Sequence, residues 1–547
     1  MWRNWLAVLL LCAPAAAQID SPSRVGVGVI KRKLSLAGAI EMALKKNLEI
    51  EIEKTNISVA AQSVHGAHGY LDPRFRWAPR YENRQIPTSS PLVGANGKLV
   101  EKVGSQTFSW SQRLPWWGMG IQAQFENDRQ STTNPFTSLS PYQTGRLGAS
   151  LTLPLLRNRK TDPARANLRI TNKQKELSET QFRLKVIDVV SRVEEAYWNL
   201  VAARQSVRVA SEAVKLAREQ LARTRRMIES GTLAPVELAA AEAELERRVD
   251  TWYSSIGLVT EVENALKLLI TENRQEPLWD DEIIPTEERT LEPPRVDDVR
   301  AAVRSALQKR PELRQIGLRL ETNDIQARLA RNQTRPEVNV VAGYTVAGLA
   351  GTLSSTENPF SKLSGAQFLR TNELSEIHGL PPLPAPSFGG VVSTQIGGFG
   401  SVLSAIGRGT YPTAFVGLQM DFVGRNRAAE AEAAKAAIAE RRLKLQRDQL
   451  EEAIEAQVRN ALQQIQTARQ RIAATEASVR AAEERLQSEI RLFRSGESTN
   501  FLVLTRQNEL ADSQRRAVVA KLDFNKAVAR VRKALGTTLE TYRIELQ

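Results

Sequence analysis

One heptad pattern occurs twice in this 547-residue chain, with the two copies about 265 residues apart. Apolar residues recur at every seventh position on both sides of Gly231, and the same spacing returns on both sides of Gly496. A period of seven gives 3.5 residues per turn, which winds helices into a left-handed coiled coil. Each half is therefore predicted to form two long antiparallel helices joined at its glycine. The matched positions are Leu200, Val207, Val214, Leu221, Ile228, Leu238, Leu245, Trp252, Val259 and Leu266, then Ile465, Ile472, Val479, Leu486, Phe493, Val503, Leu510, Ala517, Phe524 and Val531.

The helices of these hairpins are predicted to be unusually long. Residues 164–230 and 425–495 contain neither proline nor glycine, so each stretch permits one uninterrupted helix. At 1.5 Å per residue such a helix is about 100 Å long. Asp162 before Pro163 is a typical helix start, and hydroxyl residues after each tip glycine suit the start of a returning helix.

Ahead of each long helix, apolar residues alternate with polar ones, which is the pattern of β-strands. Such strands fit either a soluble sheet on a core or a transmembrane barrel with lipid outside and water inside. A length of about nine residues and the tryptophans of this region favour the barrel. The six candidate strands carry Phe75, Trp77 and Tyr81; Phe108, Trp110 and Leu114; Met119, Ile121, Ala123 and Phe125; Leu147 to Leu155; Val338 to Val346; and Ala414 to Phe422.

Both halves also begin with a shorter amphipathic helical segment, so the chain divides into two structural repeats separated by an acidic, proline-containing linker. The predicted boundaries are a signal peptide at 1–17, a first repeat at 18–271, a linker at 272–296, a second repeat at 297–535 and a C-terminal tail at 536–547. The first repeat has a short helix at 34–70, barrel strands and loops at 73–156, and a helical hairpin at 161–271 with its tip at 230–233. The second repeat has a short helix at 297–333, barrel strands and a loop at 336–423, and a hairpin at 425–535 with its tip at 495–498.

Residues 1–17 have the features of a secretory signal, with Arg3, an apolar run and an Ala-Ala-Ala cleavage site, so we expect export from the cytoplasm. The only cysteine, Cys12, lies inside this segment. The mature chain is therefore expected to lack disulfides and thiolate metal sites. Although the formal net charge is +14, the basic residues are spread along helices beside glutamates, which favours a solvated helix surface over nucleic-acid binding.

The order of short helix, strands, long helix, glycine turn and long helix, present twice, resembles the TolC-type outer membrane factor family. Residues 43–49 and 306–313 are similar to the two helix openings of that family, and residues 230–233 and 495–498 are similar to its two periplasmic helix tips. The resemblance extends from about Leu34 to Leu535.

The resemblance implies a fold that is mainly α with β: duplicated coiled-coil hairpins forming an α-helical tunnel, plus strands that contribute to a shared transmembrane β-barrel of a homotrimer. It further implies location in the outer membrane with a large periplasmic portion. Such channels conduct drugs, metals or proteins passively for a periplasmic adaptor protein and an inner-membrane pump. The expected partners are thus sister chains, adaptor, pump and outer-membrane lipid, with no nucleic acid, no cofactor and no metal.

The resemblance also supplies candidate sites. Adaptor contact is expected at the tip residues Gly231, Thr232, Leu233, Gly496, Glu497 and Ser498. The candidate gate consists of Glu237, Phe493, Leu502 and Thr505. Relatives close to TolC carry acids where this chain has Leu502 and Thr505, and a gate-holding aromatic hydroxyl and Arg where it has Phe493 and Ser498. For Glu237 and Glu497, one interpretation is a threefold ring near the closed tip that selects ions by its field, and the other is simple solvation. For Leu502, the two interpretations are apolar narrowing of the pore and packing between helices.

A second departure concerns the strands. The family has four strands per chain, whereas the candidate hairpin of 106–114 and 119–127 is extra. We expect one strand pair per half in the barrel, with the surplus hairpin lengthening the barrel or extending beyond it.

Enzyme chemistry has no candidate residues in this sequence. His65 and His68 have helical spacing but lack a third metal ligand, and we find no Ser–His–Asp set or phosphate-binding loop. The rival interpretation is a soluble periplasmic or secreted coiled-coil scaffold whose strands form an ordinary sheet.

Overall fold

The computed structural model describes residues 24–545 except 29, 91–92, 94–96, 288–289, 297, 357 and 386–389. The predicted signal peptide at 1–17 and Cys12 lie outside the described residues. The described residues form two compact units: a helical unit from within Met1–Ser58, Leu177–Gly317 and Leu445–Gln547, and a sheet unit from within Val59–Glu176 and Leu318–Lys444.

The two repeats differ in their number of strands although each has a long helical hairpin. The first half and the linker contain β1 (Lys31–Leu34), α1 (Leu36–Lys46), α2 (Leu48–His68), β2 (Arg74–Pro87), β3 (Lys98–Arg113), β4 (Gly120–Thr132), β5 (Leu139–Pro154), α3 (Pro163–Glu229), α4 (Val236–Ile270) and β6 (Glu282–Pro285). The second half contains α5 (Val299–Lys309), α6 (Pro311–Gln333), β7 (Glu337–Leu353), α7 (Pro359–Ile377), α8 (Phe399–Gly407), β8 (Tyr411–Asp421), α9 (Arg427–Arg494), α10 (Asn500–Leu535) and α11 (Thr538–Thr541).

Each predicted short helix is two helices with a break between them. At the first break Asn47 has an extended backbone, and its side-chain oxygen accepts hydrogen bonds from the backbone N–H groups of Glu49 and Ile50. Asn47 thus ends α1 and caps the start of α2. The second break falls at Arg310, which is also extended and precedes Pro311, because a proline disfavours helical geometry in the residue before it.

The predicted linker at 272–296 is more ordered than its composition indicated. Within it β6 pairs in parallel with β1. The fully buried ammonium of Lys267 lies 3.0 Å from the carboxylate of Glu263 and donates to the carbonyl oxygens of Trp279 and Asp281. The segment is therefore anchored inside the helical unit by buried ionic and backbone contacts.

The heptad residues pack across each hairpin as the sequence predicted. Val214 of α3 and Trp252 of α4 belong to one buried cluster, together with Ala210. In the second hairpin Phe493 and Leu486 of α9 cluster with Val503 and Leu510 of α10. In each hairpin, residues before the tip glycine contact residues after it. These contacts confirm that the two helices are antiparallel.

All six predicted strands are present, and they form one antiparallel sheet in the order β2-β3-β4-β5-β7-β8. The expectation of one strand pair per half is wrong, because β3 and β4 lie inside the sheet between β2 and β5. Their alternation matches that of their neighbours: Trp77 pairs with Phe108 and Phe108 with Phe125, and the rings of Trp77 and Phe108 stack at 5.9 Å. A hairpin with the same apolar face extends the sheet without a mismatch.

Candidate functional site: the helix tips

Both helix tips end in the same left-handed glycine turn. Gly231 has φ +75° and Gly496 has φ +82°. The N–H of Thr232 donates to the carbonyl of Met227 at 2.9 Å, and the N–H of Glu497 donates to that of Leu492 at 2.9 Å. These bonds satisfy carbonyl groups that the helix end leaves free. The predicted structural role of the two glycines is confirmed.

The tip residues differ in their exposure. Gly231, Thr232, Gly496 and Glu497 are exposed. Leu233 and Ser498 are half-buried. The hydroxyl of Thr232 donates to the carbonyl of Met227, and the hydroxyl of Ser498 donates to the Glu489 carboxylate, so both hydroxyls reinforce their own turns. Contact between these residues and an adaptor stays a prediction.

Just inside the tips, a buried asparagine connects the two hairpins. Asn500, at the start of α10, is 1% exposed. Its side-chain oxygen accepts from Gln220 at 2.7 Å and from Thr224 at 3.4 Å, while its amide donates to Glu237 at 3.2 Å. These partners lie on α3 and α4. One side chain therefore holds three helices together.

A second polar layer lies about two to three turns further along the same helices. Buried Arg248 of α4 donates to the Ala213 carbonyl at 3.0 Å, to Gln507 at 3.0 Å and to Asn508 at 3.1 Å. Its Nε lies 2.7 Å from Glu244. Such a site is satisfied only with all its partners in place, because an unpaired buried charge is costly.

The pKa values follow from this geometry. Burial lowers the pKa of Arg248, which its ion pair with Glu244 opposes. Burial acts to raise the pKa of Glu244, but the hydrogen bonds from Arg247 and Arg248 outweigh it and hold that pKa below its ordinary value. Glu244 therefore stays ionised at neutral pH and balances the buried guanidinium.

The four candidate gate residues lie in different surroundings. Glu237 joins the network of Asn500, as described above. Phe493 is 4% exposed and packs in the seam between α9 and α10. Leu502 is 36% exposed and lies outside that buried cluster. The hydroxyl of Thr505 donates to the Phe501 carbonyl of its own helix. Within one chain, then, these residues do not converge on one point.

Sequence reasoning missed Gln220, Thr224, Arg248, Asn500 and Gln507. A signal was present, since Gln220 adjoins the heptad position Leu221 and Gln507 lies between the heptad positions Val503 and Leu510. Polar residues beside an apolar seam can fix the register of helices. Which of them are buried depends on the other hairpin.

The sheet unit has a second feature of functional interest, its exposed apolar face. Trp77 is 61% exposed, Val416 81% and Leu418 60%. Large exposed apolar patches mark contact with lipid or with another protein. Among the residues that the structure describes, each helix is too short or too polar to span a bilayer.

His65 and His68, for which the sequence offered no third metal ligand, both lie on α2. Over the part of the chain that the structure describes, no three His, Cys, Asp or Glu side chains are grouped as metal ligands would be.

Comparison with known proteins places these features in context. Residues 119–270 match the family model of outer membrane efflux proteins. No curated protein sequence matches the chain significantly. The chain has the fold of solved outer membrane channels. CmeC of Campylobacter jejuni is 14% identical with a TM-score of 0.61, over 92% of this chain and 86% of that one. VceC of Vibrio cholerae is 13% identical with a TM-score of 0.61, over 92% and 96%. MtrE of Neisseria gonorrhoeae, solved in an open state, is 15% identical with a TM-score of 0.59, over 92% and 89%.

The resemblance to the TolC-type outer membrane factors is confirmed. The matched residues of the outer membrane efflux protein model comprise β4, β5 and the first helical hairpin with the tip at Gly231. The fold that this resemblance implies, mainly α with β, is confirmed by the likeness to the solved channels.

Proposed function

We propose that this chain is the outer-membrane channel of a tripartite efflux or type I secretion system. It would conduct substrates passively from a periplasmic adaptor and an inner-membrane pump to the exterior. The observation that carries the proposal is the six-stranded sheet with one exposed apolar face and one polar face, directly followed in both repeats by a long helical hairpin. Lipid on the apolar side and water on the polar side match such a sheet.

The edges of this sheet support assembly of the channel from several copies of the chain. Within the described residues β2 and β8 each have one neighbour in the sheet. Open strand edges are not tolerated in lipid, so sister chains must supply the missing partners. The TolC-type resemblance supports three chains.

The helix tips are the proposed adaptor contact. Gly231, Thr232, Leu233, Gly496, Glu497 and Ser498 form two similar turns, four of whose residues are exposed. Similar turns with different side chains suit two related but non-identical docking positions. Behind them, Glu237, Phe493, Leu502 and Thr505 remain the proposed constriction, held closed by the layers around Asn500 and Arg248.

Cell fractionation tests this proposal directly. The channel is expected in outer membranes as a trimer that resists detergent and dissociates on heating, with a periplasmic marker enzyme as the control for lysis. Recovery of the chain in the soluble fraction would overturn the channel and support the coiled-coil scaffold instead.

A further inference from the structure

The polar and apolar faces of the sheet continue through all six strands, with exceptions such as Phe415 on the polar face and Gln106 and Asn127 on the apolar face. Register aligns Phe75 with Trp110 and Ala123, while Arg74 aligns with Ser111 and Gln122 on the opposite face. The extra hairpin β3–β4 thus has the same alternation of polar and apolar faces as the neighbouring strands. The apolar face comprises Phe75, Trp77, Tyr81, Phe108, Trp110, Ile121, Ala123, Phe125, Leu147, Ala149, Leu151, Val340, Ala342, Tyr344, Val416, Leu418 and Met420.

We propose that three copies of this chain close an 18-stranded barrel, in which β8 of each copy pairs in antiparallel fashion with β2 of the next. This inference rests on the proposed function and specifies the sister chain as the occupant of both sheet edges. It departs from the four strands per chain of the TolC-type pattern. At equal strand tilt the barrel circumference grows in proportion to strand number, so it would be half as large again as that of a 12-stranded barrel.

The register of the new pairing follows from overlap and from the faces of the strands. All 11 residues of β8 lie alongside β2 only if Asp421 stands opposite one of the residues 74 to 77. Asp421 belongs to the polar face and must stand opposite a polar-face residue of β2. Both conditions together leave Arg74 or Arg76.

Barrel geometry gives the same answer independently. Following the paired residues from Arg74 across β3, β4, β5 and β7 leads to Phe415 of β8. Asp421 lies six residues further along β8. With strands ~4.8 Å apart and ~3.3 Å per residue, a shift of six residues across six strands gives a tilt of about 35°. Pairing with Arg76 requires a shift of eight residues and gives about 42°. Closed barrels have tilts of roughly 35–45°.

Charge complementarity supports this register. The only acid of β8 is Asp421, at its end. The start of β2 carries Arg74 and Arg76 on the same face. Opposite charges on facing strands stabilise the pair, and they would join neighbouring copies where β8 ends and β2 begins.

Cysteine cross-linking tests the proposal in membranes of cells that make the full chain, whose mature part is expected to have no cysteine of its own. Asp421→Cys combined with Arg74→Cys or with Arg76→Cys should give covalent oligomers up to the trimer on mild oxidation. Asp421→Cys with Ser109→Cys is the matched control and should give none, because Ser109 lies on the interior strand β3.

A second pair of variants tests whether the extra hairpin lies in the wall. Gln122→Cys with Ser150→Cys should form a disulfide within one chain, since these residues pair between β4 and β5. A disulfide between Arg76→Cys and Ser150→Cys in a membrane trimer would mean that β2 adjoins β5, which overturns the 18-stranded barrel but not the channel. A heat-labile membrane trimer without any link from Asp421→Cys to either arginine position would also overturn it. Absence of a membrane trimer would overturn the proposed function itself.

Discussion

At the scale of single residues, the tips combine two glycines with one buried amide. Gly231 and Gly496 have positive φ angles and no atom close to where a Cβ would lie, so conformation and not space excludes larger residues there. Asn500 acts through its side chain, which accepts hydrogen bonds from Gln220 and Thr224 and donates one to Glu237. All three partners lie on the other hairpin. Glycine shapes each tip, and asparagine connects them.

Gly231→Val and Gly496→Val should distort the tips, because a β-branched side chain resists positive φ. The expected cost is about 1–2 kcal/mol each. Export of a reporter substrate should fall, and so should co-purification of the adaptor. Ala239→Val, at an exposed position of α4, is the control and should leave both unchanged. Unchanged export by both glycine variants would contradict the role of the tips.

Asn500→Leu should destabilise the folded protein by about 1–3 kcal/mol, because Gln220 and Glu237 lose their buried partner. Thermal unfolding measures this loss. Thr475→Ala is a suitable control, since that hydroxyl bonds only within its own helix at Arg471 and Ile472. Equal melting temperatures of Asn500→Leu and the parent protein would show that the network adds no stability.

At the scale of elements, ion pairs connect α2 to the long helix α3. Glu49 lies in the first turn of α2, and its carboxylate is 2.7 Å from both Lys185 and Arg192 of α3. Hydrogen bonds from Arg192 and then Lys185 lower the pKa of Glu49 to about 2. Asn47 caps the same helix end, so the break after α1 positions this carboxylate.

Glu49→Gln should therefore show a stability defect that depends on pH. The folded pKa lies below that of the unfolded chain, about 4.3, so the stabilisation is complete above the unfolded value and is lost as pH falls towards 2. The difference in Tm between parent and variant should be largest at neutral pH and should shrink below about pH 4.5. Glu51→Gln, an exposed position on the same helix, is the control. A difference independent of pH would exclude the ion pairs as its source.

The two faces of the sheet should respond differently to charge. Phe125→Arg places a charge on the apolar face and should cost about 2–4 kcal/mol if that face meets lipid near the midplane. Gln124→Arg, its neighbour on the polar face, should cost much less. Denaturant unfolding from lipid vesicles measures both. Equal costs would argue against lipid contact.

At the scale of the whole molecule, the two repeats are duplicated in their helices and unequal in their strands. The first repeat supplies β2, β3, β4 and β5, and the second supplies β7 and β8. Each repeat has one long helical hairpin with a left-handed glycine at its tip. A sheet accepts another hairpin between its strands, provided that the faces of the hairpin continue those already present.

Ion selectivity is a property of the complete channel. With Leu502 and Thr505 where TolC relatives carry acids, the proposed pore should be less cation-selective than those relatives, because a ring of carboxylates attracts cations. Reversal potentials in planar bilayers under a salt gradient measure this preference. Leu502→Glu should raise it. Strong cation preference in the unmodified channel would contradict the expectation.

The sequence by itself determined the helical hairpins, the tip glycines and all six strands, because heptads, alternation and positive-φ turns are local patterns. Only the tertiary structure decided which distant segments of the chain contact each other. Insertion of β3–β4 into the sheet, the pairing of β6 with β1, and the contact of Gln220 with Asn500 across 280 residues depend on distant segments. A period tells which face of an element is apolar, but the partner of that face is fixed only when the chain packs.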